Sequence, residues 1–137
     1  MYPDFIIKGI PCSQDIVDDE IGAHLFYFKV DQPRSDNKLE NSINWKDDEE
    51  AINFTLNQKK TTGELQFRAG IAILKKDGIE KLNELPMING NLSYERQPLP
   101  HNPYHGNILL NDGVSRKLMK LIAASIALTK TEIQRQQ

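Results

Sequence analysis

The segment Pro98-Leu99-Pro100-His101-Asn102-Pro103-Tyr104-His105-Gly106-Asn107 gathers the side chains best suited to chemistry. Two of the chain's three histidines stand there, four positions apart. Three prolines within six positions fix the backbone and remove amide donors. Tyr104, Asn102 and Asn107 add donors and acceptors. A stiff loop that presents imidazoles is a sensible way to preorganise a site.

Three readings of this segment compete. His101 and His105 have the i, i+4 spacing that converges on one ion from a helix, but Pro103 between them opposes a helix. No cysteine or acid lies close by in sequence, so neither a metal nor a cofactor is expected. Alternatively, His105 acts as a general acid or base with His101 and Tyr104 beside it, since histidine titrates near ~6.5. Asn102, Pro103 and Asn107 would then shape the binding surface. No Gly-rich phosphate loop or nucleophile elbow accompanies them. The third reading is structural: the prolines brace a crossover between two strands, Tyr104 packs on the core, and His105 bonds a backbone carbonyl. On residues alone, the structural reading leads.

Periodicity supplies the elements that must hold this segment. Residues 2–10 read as a first strand around Phe5, Ile6 and Ile7, and 12–22 as an acidic loop or short helix. Residues 23–30 alternate as a central strand covered on both faces, with His24 at its start. Residues 31–44 hold Pro33, Ser35, Asp36 and Asn37 among charges and read as a mobile loop. Residues 45–58 fit either period. Asp47 and Glu50 have capping-box spacing, which favours a helix, whereas Ile52, Phe54 and Leu56 alternate as in a strand. Residues 64–74 alternate cleanly as a strand, with Gly70 placed for a bulge or a close backbone approach.

A short helix from Asp77 or Gly78 to Leu85 follows, then an Asn89-Gly90 turn and strands over 92–96 and 107–110. One long amphipathic helix covers 115–133, capped by Asp112 or Ser115, before a frayed 134–137 tail. The expected fold is α+β, a single domain over 1–137. It has an antiparallel or mixed sheet of four to five strands and a long C-terminal helix on one face.

Composition narrows function further. Residues 1–60 carry twelve acids against seven bases, and residues 61–137 carry seven against ten, within a net charge of −2. Such a mild dipole suits protein contacts and lacks the dense basic clustering of nucleic-acid modules. The longest apolar stretch, 121–128, is far short of the ~20 residues of a membrane-spanning helix. The first residues lack the character of a secretory signal, and the lone Cys12 has no internal partner. Both point to a cytoplasmic protein. Trp45 is either a core anchor or a partner hot spot. Lys117 and Lys120 line the polar side of the terminal helix, which is able to dock on a partner.

A small chain without a complete catalytic set reads as a noncatalytic accessory component binding a protein partner in a bacterial or mobile-element system. A small His-dependent enzyme or nucleotide-binding domain centred on 98–107 is the alternative.

Overall fold

The computed structural model describes residues 2–32 and 34–136; Met1, Pro33 and Gln137 lie outside the described residues. Phe5–Ile10 forms β1, whose Ile6 and Ile7 are buried on opposite faces, as period two requires. Ile16–Val17 (β2) and Glu20–Ile21 (β3) make a small hairpin, turned by Asp18 and Asp19 at positive φ. Leu39–Trp45 is β4, Glu50–Leu56 is α1, Gly70–Lys75 is β5 and Lys76–Asn83 is α2. Leu92–Arg96 (β6), His105–Leu110 (β7), Arg116–Ala127 (α3) and Lys130–Arg135 (β8) complete the order.

The main sheet runs β6-β7-β4-β1-β5-β8, with every neighbouring pair antiparallel. Among the described residues it therefore has six strands where four to five were expected. The additional strands are β4 and β8. In β4 the positions Leu39, Asn41, Ile43 and Trp45 alternate toward the core, but a polar Asn41 interrupts the apolar pattern. The expected 31–44 loop is thus replaced over 39–45 by a strand between β7 and β1. Arg34 ties the preceding stretch down through Glu40 and Glu95. Of that expected loop, Pro33 lies outside the described residues.

The expected 115–133 helix stops at Ala127. Thr129, Thr131 and Ile133 are β-branched at alternate positions, and the chain leaves the helix to pair with β5. Gly70, at φ 136, permits this approach, because a Cβ there would lie 2.1 Å from the Gln134 carbonyl oxygen. Gln134 and Arg135, placed in a frayed tail by sequence, belong to β8, while Gln136 bonds the Ala69 and Phe67 carbonyls.

The alternating 23–30 segment is not a strand. Ala23–Phe26 is a 3-10 turn, and the extended residues after it bury Phe28. The Leu25 and Tyr27 carbonyls take their hydrogen bonds from the Asn41 side chain. The ladder over 64–74 shrinks to Gly70–Lys75, because Phe67 turns to pack on Gly9. Helix α1 settles the ambiguous 45–58 stretch, with Trp45 left in β4.

The two faces of the sheet are covered unequally. Helices α2 and α3 and the 3-10 turn close a large core against Ile6, Ile10, Ile43, Trp45, Ile108 and Leu110. Each such side chain contributes about 1.5–3 kcal/mol by leaving water. On the opposite face, among the described residues, α1 packs on a small cluster of Ile7, Ile71 and Ile73 with Phe5 beside it. The remaining strip of that face, on β4, β7 and β6, carries Ser42, Asn44, His105, Asn107 and Glu95.

Candidate functional site

That polar strip, α1 and the β6–β7 connection enclose a cleft of about 320 Å³. The connection is the tip of a hairpin, where a crossover was expected, since β6 and β7 are neighbours. Leu99 and Asn102 exchange backbone hydrogen bonds of 2.9 and 3.0 Å around Pro100 and His101. Proline at the first corner fixes the φ a tight turn needs. His101 consequently sits exposed at the tip, on the rim between this cleft and a second one. Pro103 is exposed beyond it.

His105 begins β7 and is half-buried. Its Nδ1 lies 2.9 Å from the Gln97 carbonyl oxygen. A carbonyl only accepts, so Nδ1 carries the proton and donates it. In the neutral ring Nε2 is then the unprotonated nitrogen. The imidazole is held in one tautomer and lines the cleft.

Below the histidines runs a chain of amides. Tyr104 N–H donates to Asn102 Oδ1 at 3.0 Å, and Asn102 Nδ2 donates to Asn44 Oδ1 at 2.9 Å. Asn44 Nδ2 donates to Thr55 Oγ1 at 2.8 Å and to Gln58 Oε1 at 3.3 Å. Gln58 Nε2 in turn donates to Gln66 Oε1 at 3.2 Å. Asn44, Asn102 and Thr55 are buried, so each missing partner would be costly. The chain ties the β6–β7 connection to β4, α1 and the stretch before β5.

Tyr104 faces the second cleft. Its ring stands edge-on to Phe54 at 5.3 Å, and its hydroxyl donates to Asp48 at 3.0 Å. Lost hydration, then that bond, holds its pKa above the usual tyrosine value. It therefore keeps its proton at neutral pH. Asn107 lies two residues beyond His105 along β7, and its Nδ2 donates to Gln97 and to the Glu95 carboxylate that also holds Arg34. Among the described residues, Asn107 Oδ1 is buried without a partner.

The structure thus gathers His101, Asn102 and His105 at one cleft, with Tyr104 beside it. It does not bring Trp45, Lys117 or Lys120 there. Trp45 is 0% exposed, stacks on Tyr2 at 4.7 Å and donates Nε1–H to the Glu95 carbonyl. It is a core anchor, out of reach of any partner. Lys117 and Lys120 are exposed on α3, across the sheet. Among the described residues, no group of three metal-ligating side chains converges.

Sequence reasoning missed Lys8, Lys29, Ser42, Asn44 and Gln58, which all line the cleft. One signal was available: Lys8 interrupts the apolar run of β1 at a position whose neighbours are buried. None of the described residues lining the cleft is acidic, in a chain of net charge −2. Compared with protein-family models, with curated proteins and with solved structures, the chain matches none.

Proposed function

We propose that this chain is a noncatalytic accessory component that binds a protein partner, and that the cleft between α1, β4, β7 and the β6–β7 tip receives part of that partner. The observation that carries this reading is the amide chain Asn102–Asn44–Gln58–Gln66 along the cleft, in which the buried Asn102 and Asn44 hold the half-buried Gln58 and Gln66 at the cleft wall. Carboxamides offer the same donor and acceptor geometry as peptide groups, and they neither take nor release protons at neutral pH. Such a wall suits recognition of a peptide more than proton transfer. The same reading places the protein in a bacterial cytoplasm, within a multi-component system.

Panning a displayed random-peptide library against the chain tests it. Selected peptides should shift the amide resonances of Asn44, Gln58 and Gln66, and Gln58→Ala should weaken them about tenfold. Peptides that map to another surface, or none recovered, would overturn the assignment of the cleft. A partner from a co-encoded gene should likewise lose its grip on the Gln58→Ala protein.

One observation favours a second reading, a small His-dependent enzyme: the carbonyl bond that fixes His105 in a single tautomer. In that case His105→Ala abolishes turnover while leaving Tm nearly unchanged.

A further inference from the structure

The β1–β4 ladder ends at the pair Ile7–Asn44. Beyond it β1 continues along β5 to Ile10, while β4 runs back along β7 to Leu39. The two strands therefore part, and Lys8 stands in the opening. Its Nζ donates to Asn41 Oδ1 at 2.9 Å and to the Ser42 carbonyl at 2.7 Å, and lies 5.6 Å from the Phe26 ring centroid. Lys29, from the extended stretch beside β4, donates its Nζ to the Ser42 hydroxyl at 3.3 Å. Two ammonium groups thus converge on one serine.

Both line the cleft, along with His101 and His105. Glu40, two residues before Ser42, is taken up by Arg34 at 3.1 Å. Like charges crowded together are unfavourable, and the more so away from water, and among the described residues lining the cleft none is acidic. A ligand anion would relieve that repulsion.

From this geometry we infer that the floor of the cleft is an oxyanion site, in which Lys8 and Lys29 receive a carboxylate or a phosphate-like group. The inference rests on the binding reading above and names the chemistry of what enters: an acidic side chain or terminal carboxylate of the partner. A free inorganic oxyanion has the same chemistry and must be distinguished by experiment.

Burial, then the charge of Lys29, brings the Lys8 amine down to about 7. Near neutrality the amine is poised between its two forms, and an adjacent anion draws it to the charged one. Anion binding then takes up a proton, so affinity is greatest below pH 7 and falls as pH rises above it. The other charged or titratable groups bearing on Lys8 are Lys29, His101 and His105 at the cleft, and Glu40 with Arg34 on the β4 side. Opposite Lys8, β5 contributes the uncharged Ala72.

The test is a two-dimensional NMR titration of the full chain with sulfate, and in parallel with a capped tripeptide carrying one glutamate and its glutamine counterpart. The expected result is saturable shifts at Ser42, Asn44 and His105 from sulfate and the glutamate peptide. Both should weaken about tenfold in Lys29→Met and about tenfold between about pH 6.5 and about pH 8.5. Sulfate keeps its charge across that range, so the pH effect belongs to the protein. Lys8→Met should remove most of it, which separates Lys8 from the histidines. Because Lys29 is exposed, Lys29→Met should retain the fold, checked by an unchanged Tm.

Sulfate bound without the peptide supports the oxyanion site and removes the protein-partner reading. A peptide bound equally well by Lys29→Met, or with glutamine in place of glutamate, overturns the oxyanion site and leaves the partner reading standing. No localised shift from either probe overturns the site.

Discussion

The two faces of the six-stranded sheet are built from the same strands and differ in almost every property. Along β7, Ile108 and Leu110 enter the apolar core, while His105 and Asn107, interleaved with them, join polar networks. Along β4, Ile43 and Trp45 enter the core, while Ser42 and Asn44 face the cleft. The apolar face depends on volume and is roofed by two helices. The polar face depends on directed hydrogen bonds and is only partly roofed by α1. Placing the site on the back of the core strands makes it rigid without asking the core to be polar.

That contrast can be broken first on the apolar side. Trp45→Ala removes a fully buried ring and its Nε1–H bond to Glu95. It should cost about 3–5 kcal/mol of stability, read by urea unfolding. A loss under about 1 kcal/mol would mean that the core is not organised around this ring. On the polar side, Asn44→Ala leaves the buried Asn102 amide and the buried Thr55 hydroxyl short of a partner. A loss of about 1–3 kcal/mol is expected, with the shifts of residues in α1 and β7 changing together.

Lys8→Met has the opposite sign. The amine titrates about 7 in the folded chain, against about 10.4 when free, so the unfolded chain binds the proton more tightly. The folded state therefore gains stability as pH rises from about 7 to about 10, and carries the full penalty below. Lys8→Met should raise stability near neutrality by about 1–2 kcal/mol, a value moderated by the water that still reaches a half-buried group. The gain should vanish by about pH 10.5. A variant less stable than the parent at pH 7 would show that the bonds to Asn41 and Ser42 outweigh the burial of charge.

The smallest effect sharpens the comparison at the cleft rim. His105→Ala loses one bond to the Gln97 carbonyl at a half-buried site and should cost about 0.5–1.5 kcal/mol. Loss of a turnover activity at unchanged Tm would instead favour the enzymatic reading.

Much of the framework was legible where period and composition agreed. Strand β6 over Leu92–Arg96 and the helix ending before Pro86 follow directly from alternation and from a breaker. The Ser115 cap is also readable, and its Oγ accepts the Leu118 N–H at 3.2 Å. Strand β4 was obscured because Asn41 occupies a core-facing position, where it serves the carbonyls of Leu25 and Tyr27. The 23–30 segment imitated a strand because its large apolar side chains alternate, while the Leu25 and Tyr27 carbonyls bond the Asn41 side chain instead of a ladder. The C-terminal strand was merged with α3 because the apolar period runs on past Ala127, and only pairing with β5 decides between helix and strand. Of the site, the sequence disclosed the hairpin tip, where prolines and histidines cluster. The lysines and the amide chain come from separate stretches around positions 8, 29, 44, 58, 66 and 102, and no local spacing connects them.

Two cations, Lys8 and Lys29, share the cleft floor with no carboxylate among the described lining residues. The most direct measurement is an NMR titration of the Lys8 side chain in the parent and in Lys29→Met. The expected midpoint is about 7 in the parent and higher once Lys29 is gone. A midpoint in the ordinary lysine range near ~10.4, indifferent to Lys29, would contradict it.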